Sequence, residues 1–309
     1  TGKNNGTDSI DDGFDHNATG SAGDVMEFQI LSTLPSITSQ ATAICTYQFY
    51  DSMDPGLSYN KNLKDVKIEF FTDKGCTDKV ATWVQGDGKF NVTYSSDDRH
   101  MTIDITAAGL AEINGNTTNT NGKLYAGYSN YTARVTYTAT INSDATFVYG
   151  QEGNDNKVVL TWKRSSDAYY DTLVDDAHIF TYGIDLTKKF SDGKGNFEKV
   201  QFIVKNETDG YYVQAELNEA EGVYYITNHT GNPDAATRFI PVESNGTAGK
   251  IIIKGLEDDT YVITEIRTDN GYTLLKDDIE VVISQSETTE PCNIYSSDVL
   301  GLIQNDPRY

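Results

Sequence analysis

Apolar and polar side chains alternate over many short stretches of this chain. The alternation covers residues 26–30, 66–70, 101–105, 135–141 and 158–162 in the first half, and 184–186, 200–204, 261–263 and 279–283 in the second. A period of two residues is typical of a β-strand with one buried face. Helical spacing is weak, and the best candidate for a helix runs from Thr106 to Ile113.

The composition also favours strands. Thr, Tyr, Val and Ile are frequent, prolines number only six, and clusters of Asn, Gly and Asp separate the alternating stretches. We therefore predict an all-β protein. The apolar pattern is interrupted near residues 165–182, and the length suits two domains, which we place at 1–178 and 179–309. The first of them begins with a loop-like segment rich in Gly, Asn and Asp.

The charge balance excludes several kinds of partner. The 309 residues carry 46 acidic and 24 basic side chains, for a formal net charge of −22. Such a surface repels phosphate backbones and anionic lipids, so we expect neither nucleic acid nor membrane as a partner. No apolar run is long enough to span a bilayer and no signal peptide is visible, so we expect such segments of a secreted protein to lie outside this sequence.

Cysteines, histidines and acidic residues predict no bound cofactor or metal. The three cysteines, Cys45, Cys76 and Cys292, are too few for a disulfide framework, although a Cys45–Cys76 pair stays open. No zinc spacing, phosphate-binding loop or hydrolase motif is present. The acidic cluster 11–17 lacks the spacing of an EF-hand, which favours a solvated loop over a calcium site.

Three polar residues of the second half fall in phase with buried faces. Alternation places Glu265 with Tyr261 and Ile263, and it places Lys188 with Ile184 and Leu186. Asn305 shares a face with Ile303 near the end of the chain. A lone buried charge would be unfavourable by several kcal/mol, so each of these groups is expected to be neutral or paired.

If the three groups meet, they can react with one another. Burial disfavours charged forms, so a neutral Lys188 amine can attack the side-chain carbonyl of Asn305. A protonated Glu265 would stabilise the developing oxyanion and carry a proton to the departing ammonia. The product is a Lys–Asn isopeptide bond, formed once per molecule without enzymatic turnover. The simpler alternative is a buried Lys–Glu pair with an asparagine nearby, and Lys189, whose phase points outward, is the alternative nucleophile.

The second half resembles a family of bacterial surface domains. Residues 261–272, YVITEIRTDNGY, are similar to the E-box of the collagen-adhesin B-type (CnaB, SpaA-like) domains of Gram-positive bacteria, although the usual proline before Gly-Tyr is replaced. The segments LTK at 186–188, VQF at 200–202 and IQN at 303–305 resemble the first, second and closing strands of that family in the same order. The resemblance implies an Ig-like β-sandwich, with Glu265 catalysing a bond between Lys188 and Asn305.

The first half resembles the CnaA-type domain of sortase-assembled pilins. The resemblance rests on GDVMEFQI at 23–30, YDSMDPGLSYN at 50–60, VTYTATIN at 135–142 and GNDNKVVL at 153–160. It implies a tandem of two Ig-like β-sandwiches and a second isopeptide site. Asp51 would be the proton shuttle there, in phase with Cys45, Tyr47 and Phe49, while Asn156 would react with Lys3, the only lysine before strand 23–30.

One segment departs from the family pattern of the first domain. The usual Tyr-Ser-Asn ending of the last strand is replaced by Trp162-Lys163-Arg164. If the reactive asparagine of the family lay at that end, this bond would be lost.

These resemblances imply a structural subunit of a Gram-positive pilus, anchored in the cell wall and supporting adhesion to the host. Sortase would join neighbouring pilin subunits through a lysine of one and an LPxTG signal of the next, and both this signal and the YPKN pilin motif are expected to lie outside this sequence. Two alternatives stay open: an adhesin that binds host matrix protein or glycan directly, and a non-catalytic module of a secreted glycosidase.

Overall fold

The computed structural model describes residues 2–3, 14, 16–37, 42–61, 65–115, 127–145, 153–285 and 294–296, of which 2–3, 285 and 294–296 are described by backbone alone. Most of the regular structure is β-strand, in agreement with the alternating sequence pattern. Among the described residues, no helix has the length and apolar character needed to cross a lipid bilayer.

The first domain contains two β-sheets. In chain order its strands are β1 Gly2–Lys3, β2 Asn17–Thr19, β3 Val25–Thr33, β4 Ile44–Met53, β5 Leu57–Tyr59, β6 Lys67–Phe71, β7 Lys79–Val84, β8 Phe90–Tyr94, β9 His100–Ile105, β10 Thr132–Ile141, β11 Asn154–Arg164 and β12 Asp171–Phe180. One sheet has the order β1-β3-β10-β6-β7, with β5 also paired to β10, and the other has the order β2-β12-β11-β4-β9-β8. Apolar side chains of both sheets form the core between them, including Phe28, Phe49, Ile103 and Tyr137.

One helix, α1 Ala107–Asn114, connects β9 to the rest of the first domain, close to the predicted range. Thr106 precedes it in extended conformation, and its hydroxyl accepts a hydrogen bond from the amide of Gly109 at 3.3 Å. The helix ends at Gly115, whose φ of 64° lies in the left-handed region that glycine adopts without strain.

The second domain is one continuous series of strands. The strands are β13 Tyr182–Thr187, β14 Gln201–Asn206, β15 Tyr211–Asn218, β16 Val223–Thr230, β17 Val242–Ser244, β18 Thr247–Leu256, β19 Thr260–Arg267, β20 Ile279–Gln285 and β21 Ile294–Ser296. Their order is β13-β18-β16-β15-β14-β19-β20-β21, and β17 pairs with β18. The predicted fold class, all-β sandwich domains in tandem, is confirmed.

The two domains meet directly. Thr181 alone separates β12 from β13, so strand structure runs through the interval where the sequence pattern is interrupted. A second connection lies at Ser21–Asp24, where the amide of Ala22 donates to the carbonyl of Gly255 at 3.0 Å. The buried carboxylate of Glu257 lies beside this contact and accepts a hydrogen bond from the hydroxyl of Tyr211 at 2.7 Å.

Two local expectations are wrong. The N-terminal segment is loop-like in its composition, yet Gly2–Lys3 pairs with β3 and Asn17–Thr19 pairs in parallel with β12. Cys45 was expected on the buried face of β4, but it is exposed because the register with β11 shifts between Lys163 and Arg164. The extra residue of this β-bulge turns outward. Cys45 and Cys76 are free thiols, and Cys292 lies outside the described residues.

Candidate functional site

Lys188 and Glu265 are in contact in the second domain. The amine Nζ of Lys188 lies 2.6 Å from Oε1 of Glu265. The side chain of Glu265 is fully buried and that of Lys188 is 11% exposed. Lys188 and Glu265, which the sequence predicted to meet, are therefore in contact inside this domain. Lys189, the alternative nucleophile, is exposed.

The strands fix both groups of this pair. Lys188 directly follows β13, and its amide donates to the carbonyl of Gly249 in β18 at 2.7 Å. Glu265 lies in β19 opposite Phe202 of β14, on the face that also buries Tyr261. Its second oxygen, Oε2, accepts a hydrogen bond from the backbone amide of Leu275 at 2.8 Å. Both carboxyl oxygens are thus engaged, which orients the group towards the lysine.

Aromatic side chains shield the lysine. The ring centroid of Phe190 lies 5.4 Å from the Lys188 amine, and the same ring packs against Tyr272 at 4.6 Å and Phe197 at 5.4 Å. Tyr272 ends the E-box-like segment, and its hydroxyl donates to Oδ1 of Asp192 at 2.6 Å. This cluster limits the access of water to the amine. Asn305, the predicted electrophile, lies outside the described residues.

Asp51 occupies the core of the first domain. The carboxyl group is fully buried and accepts hydrogen bonds from the hydroxyl of Tyr59 at 2.6 Å and from that of Tyr137 at 2.7 Å. Burial raises the pKa of Asp51 from 3.8 to about 6, although hydrogen bonds from Tyr59, Tyr137 and Asn156 lower it. A carboxyl group whose pKa lies this close to neutral pH can both give and take a proton there, which suits it to acid–base chemistry.

Asn156 lies beside this carboxyl group. It is buried in β11, and its Nδ2 donates to the hydroxyl of Tyr137 at 2.6 Å. Its Oδ1 is also buried and accepts no hydrogen bond from the described side chains or backbone. A shallow pocket between β3 and β12 reaches this amide, lined by Phe28, Tyr137, Asp175 and Asp176 among others. The carboxylates at its rim favour the approach of a cationic group.

The backbone of Lys3 lies in β1 at the edge of the sheet that contains β3 and β10. Lys3 is in register with Met26 of β3, and Met26 is in turn in register with Ala139 of β10. Met26 belongs to the core of the first domain. The structure thus brings the predicted residues Asp51 and Asn156 together. The backbone of Lys3 belongs to the opposite sheet of the same domain.

Sequence reasoning missed the tyrosines that hold Asp51. Tyr59 and Tyr137 both lie in phase with apolar residues of their strands, and a buried hydroxyl needs a hydrogen-bond partner. That signal was available, but the partner depends on how the two sheets pack. The backbone amide of Leu275 and the ring of Phe190 were missed for the same reason.

Two groups of described residues have the composition of metal ligands. His16, Asp175 and Asp176 are exposed, while Asp209, Glu257 and Asp259 lie near the domain junction. In each group at least one member already contacts another protein group. Nδ1 of His16 lies 2.8 Å from the carbonyl oxygen of Asp176, and Glu257 accepts a hydrogen bond from the Tyr211 hydroxyl. Of the predicted acidic cluster 11–17, only Phe14, His16 and Asn17 are described.

Comparison with known proteins identifies the second domain. Residues 183–296 match the family model described as SpaA, a prealbumin-like fold domain. The second domain is a SpaA-type domain. The predicted resemblance of this half of the chain is therefore confirmed, and Lys188 and Glu265 both lie within the matched range of the SpaA-type domain. A search of curated proteins gives no significant match.

Solved structures extend the likeness to the first domain. The pilus 2b backbone protein of group B streptococcus aligns with a TM-score of 0.60 and 20% identity, over 88% of this chain and 91% of that one. A C-terminal fragment of the major pilin of Streptococcus agalactiae gives 0.57 and 16%, over 86% of each chain. The pilus backbone protein of Streptococcus pneumoniae gives 0.54 and 13%, over 85% and 87%. Coverage of this extent includes both domains, so the chain shares the tandem fold of these proteins.

Proposed function

We propose that this chain is a structural subunit of a Gram-positive pilus, stabilised by Lys–Asn isopeptide bonds that form within its own domains. The observation that carries the proposal is the buried contact between Lys188 and Glu265 at 2.6 Å inside the SpaA-type domain. The tandem fold shared with pilus backbone proteins supports the assignment to a fibre. The proposal keeps the two domains of this subunit at 1–178 and 179–309, and the change from β12 to β13 at Thr181 supports a boundary in this interval.

The bond-forming step in the SpaA-type domain uses Asn305 as the electrophile. The neutral Lys188 amine attacks Cγ of Asn305, the new C–N bond forms, and the bond from Cγ to Nδ2 breaks. Glu265 takes a proton from the amine and delivers one to the leaving nitrogen, so that one ammonia departs and the carboxyl group is unchanged. The aromatic cluster around Phe190 favours this reaction because it keeps water from the uncharged amine.

The first domain carries the second proposed site. Asp51 is the acid–base group, Asn156 is the electrophile, and Lys3 is the nucleophile. The buried contact of Asn156 with the tyrosine that binds Asp51 supports the choice of this asparagine. No enzymatic turnover follows in either domain, because each site consumes its own side chains.

The physical benefit of both bonds is resistance to unfolding. Each bond would close a loop of more than half a domain, and by analogy with a disulfide the loss of unfolded-state entropy stabilises the fold by roughly 3–5 kcal/mol. An amide bond is also indifferent to reducing conditions, which suits a chain whose cysteines Cys45 and Cys76 are free thiols.

The intact mass of the purified chain tests the proposal directly. We expect the mass to be lower than that of the sequence by one ammonia for each bond, and peptide mapping to find Lys188 joined to Asn305. Glu265→Ala restores one ammonia, whereas Lys189→Ala, at the exposed neighbouring lysine, leaves the deficit unchanged. A wild-type mass equal to that of the sequence overturns the isopeptide proposal.

The place of the chain in a fibre requires a separate experiment. Sortase joins the subunit to neighbouring pilins at the cell surface, so an antibody against this chain is expected to stain a ladder of covalent polymers in cell-wall extracts. Deletion of the pilus sortase collapses the ladder to monomer. A single monomer band in the parent strain contradicts a role in a covalent pilus.

A second candidate function, direct adhesion to a host protein or glycan, is favoured by one surface feature. Tyr169, Tyr170, Leu173 and Val174 are exposed by 83%, 58%, 56% and 58%, and they cluster at the start of β12. Exposed aromatic patches of this kind mark interaction surfaces. Loss of binding to extracellular-matrix or glycan arrays on Tyr169→Ser and Tyr170→Ser would support this function, and absence of binding by the wild type would exclude it.

A further inference from the structure

We propose that the Tyr137 hydroxyl is a catalytic group of the first domain, which passes the proton of Asp51 to the leaving nitrogen of Asn156. The inference rests on the proposed function, because it requires Asn156 to be the asparagine that loses ammonia. It assigns a reacting role to a residue that would otherwise be a buried core tyrosine.

The geometry forms a continuous chain of three groups. The Tyr137 hydroxyl lies 2.7 Å from Oδ2 of Asp51 and 2.6 Å from Nδ2 of Asn156. Before the reaction this hydroxyl donates to Asp51 and accepts from Nδ2. Once the amine has added to Cγ, Nδ2 is no longer a planar amide nitrogen and has a lone pair, so both hydrogen bonds can reverse and a proton can enter from Asp51 and leave towards Nδ2. Nδ2 is the atom that leaves as ammonia, and the hydroxyl therefore contacts the reacting group itself.

The position of this hydroxyl is fixed by the core. Tyr137 is almost fully buried in β10, in register with Phe28 of β3. The two rings are stacked with their centroids 5.3 Å apart and their planes 10° from parallel. A group held in this way needs little reorganisation when the reaction occurs.

The proton balance of the step is complete. The attacking amine nitrogen bonds to Cγ of Asn156 and the bond from Cγ to Nδ2 breaks. Tyr137 donates its hydroxyl proton to Nδ2 and takes the carboxyl proton of Asp51, and the surplus proton of the amine returns to Asp51. One ammonia leaves, and both Tyr137 and Asp51 end in their starting forms.

The protonation states that this step needs are accessible. Burial raises the pKa of Asp51 to about 6, so a protonated fraction is present near neutral pH. Burial and the neighbouring Asp51 raise the pKa of Tyr137 well above its ordinary value, so this hydroxyl keeps its proton until the carboxyl can replace it.

Direct transfer from Asp51 to Asn156 is the competing route, because Asn156 also hydrogen-bonds with the carboxyl group. Tyr59 provides the matched control that separates the routes. Its hydroxyl donates to Oδ1 of Asp51 at 2.6 Å, as that of Tyr137 does to Oδ2. The two tyrosines differ in their contact with the asparagine, because the Asn156 amide donates its hydrogen bond to the hydroxyl of Tyr137.

The experiment compares Tyr137→Phe with Tyr59→Phe in the full chain. Bond formation is followed after cell-free synthesis by intact mass, and a lysine joined to Asn156 is identified by peptide mapping. Removal of a general acid slows such a reaction by about 100-fold or more. We expect that loss of rate for Tyr137→Phe and a change of only a few-fold for Tyr59→Phe. Near-ultraviolet circular dichroism of both variants confirms that the core is intact.

Each outcome decides between the hypotheses. Equal rates for the two variants overturn the relay and assign the transfer to Asp51 alone. A wild-type chain with no cross-link at Asn156 overturns the proposed function of the first domain instead. If Tyr137→Phe does not fold, incorporation of 3-fluorotyrosine at position 137 keeps the test open. The more acidic hydroxyl is expected to change the rate of bond formation, and an unchanged rate counts against the relay.

Discussion

At the scale of single residues, Asp51 shows how neutral donors can hold a buried carboxyl group. Its described hydrogen-bond partners are the hydroxyls of Tyr59 and Tyr137 and the amide of Asn156. Neutral donors compensate part of the lost hydration, but they leave the protonated form favoured compared with water. The folded chain therefore binds this proton more tightly than the unfolded chain does.

The tighter binding of this proton predicts a pH dependence of stability. Because the pKa of Asp51 is raised from 3.8 to about 6, folding takes up a proton between these pH values. The free energy of unfolding then falls as the pH rises through this window, by about 3 kcal/mol for a shift of this size. We expect this fall in an Asn156→Ala variant, which cannot form the bond, relative to the double variant Asn156→Ala/Asp51→Asn. Parallel denaturation curves of the two at pH 4 and pH 7 would refute the prediction.

The residue pattern predicted part of this site. Alternation along β4 and β11 placed Asp51 and Asn156 on buried faces, and the structure has both there. The contact of both with Tyr137 could not be predicted, because Tyr137 belongs to the opposite sheet. Which residues meet across a sandwich depends on how the sheets pack, and the period of a strand carries no information on that.

At the scale of elements, the side-chain amide of Asn114 links α1 to strand β4 by hydrogen-bonding with its backbone, as a neighbouring strand would. Asn114, at the last turn, accepts a hydrogen bond from the amide of Ile44 at 2.7 Å and donates one to the carbonyl of Ile44 at 2.8 Å. Ile44 is the first residue of β4, next to the bulge at Cys45. The amide thus satisfies backbone groups at a point where the ladder is irregular.

Substitutions at the two ends of α1 are expected to differ in their effect. Asn114→Ala leaves a buried amide and a buried carbonyl without partners, and we expect it to lower the free energy of unfolding by about 2–4 kcal/mol. Thr106→Ala removes the N-terminal cap and the hydrogen bond from the same hydroxyl to the carbonyls of Gly88 and Lys89, and it is expected to lower the free energy of unfolding by about 1–2 kcal/mol. Chemical denaturation measures both values. An Asn114→Ala effect no larger than that of Thr106→Ala would show that water replaces the lost partners.

Elements with a clear period were predicted, and short ones were not. The strands at 25–33, 100–105, 132–141 and 260–267 follow from alternating apolar residues, and the helix at 107–114 lies in the best of the weak helical patterns. The strands Gly2–Lys3 and Asn17–Thr19 contain too few residues to show a period. They are extended because they pair with the edge strands β3 and β12. Such strands are imposed by tertiary structure.

At the scale of the whole molecule, a polar network joins the domains. The buried carboxylate of Glu257 accepts hydrogen bonds from Tyr211 at 2.7 Å and, across the junction, from the hydroxyl of Ser21 at 3.3 Å. Asp24, next to this contact, lies 3.7 Å from the ring of His229. The sequence did not predict this network, because Glu257-Asp258-Asp259 has the composition of an exposed turn.

Removal of one hydroxyl tests how much this network contributes to the free energy of unfolding. Tyr211→Phe removes the 2.7 Å hydrogen bond to the buried carboxyl group of Glu257, and we expect the free energy of unfolding to fall by about 1–3 kcal/mol. Tyr225→Phe is the matched control, since the Tyr225 hydroxyl donates to Glu221 at 2.5 Å on the exposed surface. That change is expected to alter stability by less than about 0.5 kcal/mol. Equal effects in thermal and chemical denaturation would argue against a stabilising junction.

The one-residue connection at Thr181 determines where a fibre of such subunits would bend. Thr181 is fully buried between Phe180 and Tyr182, which are buried as well. A buried link between two strands has little room for rotation, so thermal bending is expected to concentrate at the joints between successive subunits. The persistence length of the fibre would then be set by the spacing and stiffness of those joints, and each subunit would act as a single rigid segment.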